Sequence, residues 1–159
     1  MSIKIEEIHQ EDQAYVLEIV SQFWGDVVLV VHGDIYHAAD LDGLKAVIEK
    51  NIVGILHYKV RYQICEILTL ASLHPRKCIG SSLLTAVESF ARLQGCVKLS
   101  LMTTNDNLYA LGIYQRRGFQ LAGLFANQVA VSRQIKPNIP LIGENNIPLR
   151  DELLLEKHI

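Results

Sequence analysis

Residues 68–90, LTLASLHPRKCIGSSLLTAVESF, decide how this chain is expected to fold. A strand-like apolar run leads through a short basic loop to Gly80 and then directly into an amphipathic helix. The first turn of such a helix has backbone N–H groups without intrahelical partners, and the helix dipole adds a partial positive charge. Anions, phosphate groups above all, are stabilised at this kind of helix N-terminus. The stretch therefore predicts a site for a phosphorylated small molecule.

The composition indicates a soluble globular protein. Half of the 159 residues are apolar, and 15 Lys and Arg against 17 Asp and Glu give a formal charge of −2. This length and apolar content predict one domain over residues 1–159, and the charge balance argues against nucleic-acid binding. No apolar run approaches the roughly 20 residues that span a bilayer, and the acidic first residues do not resemble a signal peptide.

The three cysteines lack CxxC spacing, which indicates free thiols in a reducing, cytoplasmic compartment. Cys65, Cys78 and Cys96 each have apolar neighbours in the sequence. We therefore expect all three to be small buried side chains rather than reactive groups.

Hydrophobic periodicity predicts several strands followed by a strand–helix–strand–helix–strand order. The predicted strands are 3–8, 27–31, 51–60, 63–73, 96–102, 119–124 and 152–157, and the predicted helices are 11–23, 79–93 and 107–117. Residues 41–50 fit either a helix or a loop followed by a strand, because Gly43 weakens the helical pattern. The segment 63–102 has the length of a parallel crossover, so we expect a mixed sheet with helices on its faces.

The buried faces of these elements can also be predicted. In the helix 79–93 the inner face comprises Ile79, Leu83, Leu84, Val87, Phe90 and Ala91, and Gly95 closes the helix. In the first helix Tyr15, Ile19 and Val20 lie near one face. In the strand 96–102, Val97, Leu99 and Leu101 alternate with polar residues.

The loop before the helix adds charge and hydroxyl groups to the predicted anion site. Arg76 and Lys77 are cationic, Gly80 permits close approach of a ligand to the backbone, and Ser81 and Ser82 supply hydroxyl donors. A strand-to-helix turn capped by serines is an equally good interpretation of this loop alone, since a single glycine is a weak phosphate-binding signal.

A second motif follows downstream. Asn107, Ala110, Tyr114, Gly118 and Phe119 have the spacing N-x-x-A-x-x-x-Y-x-x-x-G-F. With both motifs in this order, the chain resembles the GNAT family of N-acetyltransferases. The resemblance implies an α+β fold: a twisted mixed sheet of about six to seven strands flanked by about four helices. It also implies acetyl-CoA as cosubstrate.

The loop departs from the pattern of that family, which usually reads Q/R-x-x-G-x-G/A. Pro75 stands at the first position and Cys78 at the first glycine. Proline has no N–H to donate, whereas Cys78 can donate its own if its φ is negative. We expect the pyrophosphate of CoA to be held by backbone amides, together with the cationic loop. The implied residues are Arg76, Lys77, Cys78, Ile79, Gly80, Ser81 and Ser82.

The resemblance also implies roles along the rest of the cofactor. The pantetheine arm is expected to pair with the strand backbone at Leu70, Ala71, Ser72 and Leu73. Asn107 is expected to hydrogen-bond the CoA arm, and its alternative role is that of a helix N-cap alone. Tyr114 is expected to protonate or hydrogen-bond the departing thiolate, and its alternative role is that of a packed core tyrosine.

The acceptor amine must lose a proton before it attacks, because an alkylammonium has a pKa near roughly 10.4. Glu66 is the first candidate for the base, directly or through water, and its alternative is a surface residue paired with Arg61 or Lys59. His32 is the second candidate, although a lone histidine is more often structural. Asp34, Tyr36 and Asp40 are candidates for holding a cationic amine. No metal-binding spacing is present.

The sequence thus predicts an N-acetyltransferase that moves an acetyl group from acetyl-CoA to an amine by direct attack. A CoA-binding module with little or no catalysis is the alternative, favoured by Pro75 and Cys78. The acceptor, a small molecule or a peptide amine, is left open, and exposed edge strands favour a homodimer. Residues 136–150, with three of the four prolines, fold over the acceptor or form a dimer contact.

Overall fold

The computed structural model describes residues 2–74 and 78–159. Within these residues it contains nine strands and four α-helices. The strands are β1 (Lys4–Glu7), β2 (Val28–Val31), β3 (Asp34–His37), β4 (Asp42–Ile48), β5 (Asn51–Arg61), β6 (Ile64–Ser72), β7 (Lys98–Thr104), β8 (Gln120–Phe125) and β9 (Glu152–His158). The helices are α1 (Gln13–Trp24), α2 (Ile79–Leu93), α3 (Leu108–Arg116) and α4 (Gln128–Ile135).

Seven of these strands form one mostly antiparallel sheet, and β2 and β3 form a separate hairpin. The predicted α+β class, the strand number and the helix number are therefore confirmed. The chain divides into two compact units. The first comprises the chain up to Leu29, Tyr36–Leu99 and Ile159, and the second comprises Val30–Ile35 and Ser100–His158.

In the first unit β1, β4, β5 and β6 are neighbours in that order, and every pair is antiparallel. The helix α2 packs across β4, β5 and β6. Its predicted inner face is buried at Ile79, Leu83, Leu84, Val87 and Ala91. Phe90 is partly exposed and stacks on Tyr58, with ring centroids 4.9 Å apart. The apolar stripe of α2 and the apolar strands therefore form the core of this unit.

Gly95 lies just after the C-cap of α2 and closes the helix, as the sequence predicts. Gly95 has φ +80, and its N–H donates to the carbonyl of Arg92 at 3.1 Å. The N–H of Cys96 donates to the carbonyl of Ala91 at 2.9 Å. This pair of bonds is a Schellman motif, which requires a left-handed residue after the helix and favours glycine there.

A buried ion pair joins the entry of α1 to β4. Lys45 is 8% exposed, and its Nζ lies 2.7 Å from Asp12 Oδ2 and 3.7 Å from Glu6 Oε2. Burial disfavours the charged form of Asp12, but hydrogen bonds from Lys45 and His9 and the charges of both residues outweigh it. The pKa of Asp12 therefore lies below its ordinary value.

In the second unit β9 lies between β7 and β8. The β8–β9 pair is antiparallel, and Ala122 is an extra residue because Leu121 pairs with Leu155 while Gly123 pairs with Leu154. The bulge therefore interrupts the alternation of side chains between the two faces of β8.

One side chain of the same unit, that of Arg133, makes three hydrogen bonds to the proline-rich segment 136–150. Arg133 donates from Nε to the carbonyl of Ile139 at 3.2 Å, and from Nη2 to Pro140 at 2.7 Å and Leu149 at 2.6 Å. A guanidinium supplies several donors in a fixed plane, so one residue can close a loop through three carbonyls. Arg133 therefore fixes both ends of this segment.

The ambiguous segment 41–50 is a strand, so its helical alternative is wrong. β4 is antiparallel to both β1 and β5. Gly43 belongs in this strand because a Cβ there would lie 2.6 Å from Ile8 Cδ1 and 2.8 Å from the Leu56 carbonyl oxygen. The glycine that weakened the helical pattern is explained by close packing across a strand.

β3 and α4 were not predicted from the sequence. β2, predicted at 27–31, pairs with β3 through a two-residue turn at His32 and Gly33. Residues 128–135 form α4 rather than a loop. Both elements are short, and α4 buries only Val129 and Ser132, so neither leaves a strong periodic pattern.

Three predictions of burial were wrong. Tyr15 is 46% exposed, because α1 buries Val16, Ile19 and Val20 and Tyr15 lies beside that face. Val97 is 52% exposed and precedes β7. Cys78 is exposed at the start of α2, whereas Cys65 and Cys96 are buried as predicted. All three cysteines are free thiols, which confirms that part of the prediction.

Candidate active site

Cys78 is the N-cap of α2 and has φ +59 and ψ +20. The condition of a negative φ, on which its predicted N–H donation rested, is therefore not met. The N–H of Ser82 donates to the carbonyl of Cys78 at 2.9 Å, and Ser82 Oγ donates to the same oxygen at 2.8 Å. Both donors of Ser82 are thus used within the helix, and the amides of Ile79 and Gly80 precede this first helical bond. Pro75, Arg76 and Lys77 lie outside the described residues.

Gly54 of β5 positions this helix terminus. A Cβ on Gly54 would collide with Ile79 Cγ2 and would lie 3.0 Å from the carbonyl oxygen of Ala71. Ile79 is the first residue of α2 and is almost fully buried. The absence of a side chain at Gly54 therefore lets the N-terminus of α2 lie directly on β5. A lone glycine within an apolar strand is the sequence signal for such an approach, although it was not used.

Gly80 has a different environment from Gly54. A Cβ built on Gly80 meets no heavy atom of the described residues within 4 Å, and its φ does not lie in the left-handed region. Neither packing nor backbone conformation requires glycine here. Among the described residues, the space beside Gly80 at the first turn of this 15-residue helix is unfilled, which suits the approach of a ligand.

The end of β6 carries the four residues predicted to pair with the pantetheine arm. On one side Leu70, Ala71 and Ser72 are paired with β5, and the N–H of Leu73 donates to the carbonyl of Val53 at 2.8 Å. Ser72 Oγ donates to the carbonyl of His74 at 3.2 Å. This segment is therefore a regular strand that continues to the start of the loop.

A bulge lies in the middle of β6. His57 pairs with Thr69 while the next residue, Tyr58, pairs with Ile67, so Leu68 has no opposite residue on β5. The bulge interrupts the alternation of side chains between Glu66 and Leu68. Bulges of this kind reorient side chains and occur often beside active sites.

Glu66, the first candidate for the base, lies in a cationic cluster. Its Oε2 is 3.9 Å from Arg61 Nη2, and Lys59 is its partner on β5. Arg61 Nη2 also donates to the hydroxyl of the buried Tyr36 at 3.0 Å, and Lys59 Nζ lies 5.6 Å from the centre of that ring. The two cations that the sequence offered as alternative partners for Glu66 are both adjacent to it.

In the second unit Asn107 is the N-cap of α3. Its Oδ1 accepts from the N–H of Ala110 and its Nδ2 donates to Thr103 Oγ1, both at 3.4 Å. The neighbouring Asp106 is buried and accepts from the N–H of Glu144 at 2.8 Å. These bonds fix the turn between β7 and α3.

Tyr114 is tied to the end of the same helix. Gly118 has φ +93, its N–H donates to Gln115 at 3.1 Å, and the N–H of Phe119 donates to the carbonyl of Tyr114 at 3.0 Å. The rings of Tyr114 and Phe119 meet edge-on with centroids 5.7 Å apart. The arrangement is a Schellman motif with its usual apolar contact. The Y-x-x-x-G-F spacing is thus explained by how the helix ends.

Burial raises the pKa of Tyr114 to about 12. Desolvation is the cause, because a phenolate loses the solvation that water would give it. The residue keeps a partly exposed surface. Tyr114 is therefore a neutral hydroxyl donor throughout the ordinary pH range.

One residue with functional potential has no sequence signal. Glu152 opens β9, is 6% exposed, and accepts from the backbone N–H of His32 at 3.2 Å. Its Oε1 lies 3.9 Å from His32 Nδ1. The His32 ring meets Phe125 edge-on, with centroids 4.3 Å apart. A glutamate at the start of a predicted strand gave no indication of this contact, because its partner lies 120 residues away.

A buried histidine lies in the first unit. His57 is fully buried, and its Nδ1 and backbone N–H each lie 2.8 Å from Thr69 Oγ1. Burial lowers the pKa of His57 to about 4. His57 is therefore neutral at physiological pH and joins β5 to β6 inside the core.

The predicted site residues fall into two groups. The strand and helix residues Glu66, Leu70, Ala71, Ser72, Leu73, Cys78, Ile79, Gly80, Ser81 and Ser82 belong to β6 and the start of α2 in the first unit. Asn107 and Tyr114 belong to the start and the last turn of α3 in the second unit.

No helix within residues 2–74 and 78–159 has the length and apolar character needed to cross a membrane. Across the part of the chain that the structure describes, no group of three or more His, Cys, Asp or Glu side chains is placed to hold a metal ion.

The fold of this chain is that of the GNAT class of proteins. The sequence profile of the acetyltransferase (GNAT) family matches residues 6–119, and the chain belongs to this family. The uncharacterized protein YxbD of Bacillus subtilis (strain 168) is 42% identical over 147 residues, which cover 89% of this chain and 92% of that protein.

Solved structures show the same fold. The IAA acetyltransferase from Bacillus cereus ATCC 14579 is 22% identical with a TM-score of 0.76, covering 99% of this chain and 100% of that one. A GNAT family acetyltransferase from Elizabethkingia anophelis with acetyl-CoA bound is 21% identical with a TM-score of 0.71, covering 99% of this chain and 98% of that one.

Proposed function

We propose that this chain is an N-acetyltransferase that transfers the acetyl group of acetyl-CoA to an amine by direct attack. The observation that carries the proposal lies at the first turn of α2. A Cβ on Gly80 would contact no other described residue there, so packing does not explain the glycine. Family membership supports the reaction class. We further propose that residues 1–159 act as one cytoplasmic domain and that the protein forms a homodimer.

The cofactor is proposed to bind along β6 and α2. The pantetheine arm pairs with Leu70, Ala71, Ser72 and Leu73 as an added strand. The pyrophosphate binds at the first turn of α2, through the amides that precede the bond from Ser82 to Cys78. Asn107 serves the CoA arm from the start of α3. The proposal also includes Arg76 and Lys77.

Tyr114 is proposed as the donor to the leaving group. A thiol has a pKa near roughly 8.5, and the pKa of Tyr114 is raised to about 12. Complete proton transfer to the thiolate would therefore be uphill by about 5 kcal/mol. Tyr114 thus acts mainly through a hydrogen bond that strengthens as negative charge develops on sulfur, which is the pattern of transition-state stabilisation.

Glu66 is the first candidate for the base that accepts the proton of the acceptor ammonium, directly or through water. Its position beside Arg61 and Lys59 means that it attracts an ammonium in competition with two cations of the protein. The acceptor is a small-molecule or peptide amine, and the transfer needs no metal ion.

A CoA-binding module with little catalysis is the second candidate. The left-handed backbone of Cys78 favours it, because Cys78 does not have the negative φ on which donation of its N–H was predicted. Pro75 supports the same alternative, since proline has no N–H.

Release of free CoA thiol from acetyl-CoA separates the two candidates. The amine panel contains spermidine, tyramine, glycine, an alanyl peptide and a lysyl peptide, with wild type compared with Tyr114→Phe. An amine-dependent release that Tyr114→Phe reduces supports the transferase. CoA binding without release from any of these amines supports the module.

A further inference from the structure

The contact between Glu152 and His32 joins a buried carboxylate to a side chain that solvent reaches. Glu152 is 6% exposed, whereas the His32 side chain is 41% exposed at the tip of the β2–β3 hairpin. Backbone and ring of His32 both face the carboxylate, at 3.2 Å from N–H to Oε2 and 3.9 Å from Nδ1 to Oε1. The His32 ring is therefore in contact with solvent as well as with the buried carboxylate.

Glu152 is short of hydrogen-bond donors. Its Oε1 is buried and has no hydrogen-bond partner among the described residues. An unsatisfied buried carboxylate oxygen is costly, and a positive charge beside it removes that cost. Desolvation raises the pKa of Glu152, against the hydrogen bond and the charge of His32. The carboxylate is therefore placed to stabilise an imidazolium at His32.

The turn itself does not require a histidine. His32 and Gly33 have φ +51 and φ +81, so both central residues of this two-residue turn are left-handed. Asn-Gly and Gly-Gly are the favoured pairs in such turns. The bond to Glu152 Oε2 uses only the backbone N–H, which any residue except proline supplies. Neither feature explains an imidazole at position 32.

Hydrogen bonds join the two residues before Glu152 to Asn105, in the turn before the helix that carries Tyr114. The N–H of Asn105 donates to the carbonyl of Asp151 at 3.1 Å. Asn105 Oδ1 accepts from the N–H groups of Arg150 and Asp151, each at 3.0 Å. Asn105 lies two residues before Asn107, the N-cap of α3. The start of β9, where Glu152 lies, is thus held next to the turn from which the Tyr114 helix begins.

We propose that His32 accepts the proton of the acceptor ammonium and that Glu152 is the positioning residue behind its ring. The inference rests on the proposed function. The neutral ring carries its proton on Nδ1, facing Glu152, and Nε2 takes the ammonium proton. Histidine–carboxylate pairs work in this way, and their bonds are often long in the free enzyme. The distance of 3.9 Å is expected to shorten as the imidazolium forms.

The reaction then balances. The amine freed by His32 attacks the thioester carbonyl carbon, the C–S bond breaks, and sulfur leaves with the hydrogen bond from Tyr114. The second proton on the attacking nitrogen goes to the departing thiolate. The proton on His32 returns to solvent through the exposed edge of the ring.

Other charged groups on the neighbouring elements enter the pH dependence. Asp34 begins β3 next to the turn, and Arg150 and Asp151 precede Glu152. Asp151 Oδ1 accepts from Arg150 Nε at 3.0 Å and from the N–H of Asn127 at 2.8 Å. Phe125 of β8 contacts the His32 ring edge-on, and the Glu152 carboxylate lies 3.9 Å from Nδ1 of that ring.

The first test needs no acceptor and so does not depend on the proposed function. Nitrogen NMR of the full chain at high pH reports which ring nitrogen of neutral His32 carries the proton, in wild type and in Glu152→Gln. We expect the Nδ1–H form to predominate in wild type and to lose that predominance in the variant. An Nε2–H form in wild type, or equal populations in both proteins, overturns the proposal.

The second test uses the amine that gives the fastest thiol release in the panel. His32→Asn keeps the turn and the backbone N–H, and we expect kcat/KM for the amine to fall roughly 100-fold at neutral pH. The defect should shrink as the pH approaches the pKa of the acceptor ammonium, near roughly 10.4, because the amine then needs no base. Glu152→Gln should show the same trend with a smaller loss.

Two further variants make this test specific. His37→Gln changes an exposed histidine at the other end of β3 and should stay within about twofold of wild type. Glu66→Gln tests whether Glu66, rather than His32, accepts the proton of the acceptor ammonium. If Glu66→Gln alone shows a defect that shrinks with rising pH, or if the loss in His32→Asn is independent of pH, His32 is not the proton acceptor.

Discussion

The backbone N–H of Phe119 donates to the carbonyl of Tyr114 at 3.0 Å, and the rings of the two residues meet edge-on at 5.7 Å. One motif thus performs two tasks. Gly118 and Phe119 end the helix, and the same bonds fix the last turn, which carries Tyr114. A residue proposed for chemistry is held by the backbone geometry of its own helix end.

Gly118→Ala should therefore lower both stability and activity. A non-glycine residue at φ +93 is strained, and its Cβ would lie 3.2 Å from Lys157 Cε. We expect the free energy of unfolding to fall by about 1 to 2 kcal/mol, measured by urea denaturation, with slower thiol release. Gly112→Ala is the matched control in α3, because its Cβ meets only the flexible end of Arg116. Equal stability of the two variants would contradict this account of the cap.

Gly80→Ala should separate binding from folding. No described atom lies within 4 Å of the added Cβ, and alanine is favoured over glycine within helices by up to about 1 kcal/mol. We expect unchanged or slightly higher stability, together with CoA affinity lowered about tenfold or more, measured by calorimetric titration. Thr85→Ala, on the exposed side of α2, should bind CoA like wild type. Wild-type affinity in Gly80→Ala would place the pyrophosphate elsewhere.

The parts of the fold that could be predicted have strong local signals. α2 runs from Ile79 to Leu93, as its periodicity predicts, because five of its apolar residues are buried together and Gly95 ends it. Asn107 was likewise predicted as an N-cap from its place before an apolar run. In both cases the sequence neighbours of a residue determine its conformation.

The rest depends on contacts between distant residues. β3 has four residues, and only Tyr36 among them is buried, so its pairing with β2 leaves little pattern. Glu152 meets His32 across 120 residues, and nothing beside either one indicates the contact. Cys78 was predicted to be buried from its apolar neighbours, but its left-handed backbone lies at the exposed end of the loop. Tertiary structure decides these positions.

Tyr114→Phe should lower the rate of transfer rather than the affinity for the cofactor. Removal of one donor to a developing negative charge costs about 10²- to 10³-fold in kcat, because that hydrogen bond is strongest in the transition state. We expect this loss in thiol release, with KM for acetyl-CoA within about threefold of wild type. Tyr109→Phe is the control, since Tyr109 is 68% exposed on the same helix. A loss confined to KM would mean that Tyr114 only binds the cofactor.

His57 should make the protein sensitive to acid between about pH 6.5 and 4. Burial lowers the pKa of His57 from 6.5 to about 4, so over this range the unfolded chain binds a proton that the folded state does not. The contribution of neutral His57 to the free energy of unfolding is therefore complete above the unfolded pKa. It is lost as the pH falls towards the folded pKa, by up to roughly 3 kcal/mol. We expect His57→Gln to lose less unfolding free energy than wild type between pH 7 and pH 4.5 in urea titrations. The lowered pKa of Asp12 also destabilises the protein in acid, but it does so in both proteins and cancels in the comparison. His37→Gln, which changes an exposed histidine, should keep the wild-type dependence. An equal acid dependence in His57→Gln would show that His57 is not the group that titrates.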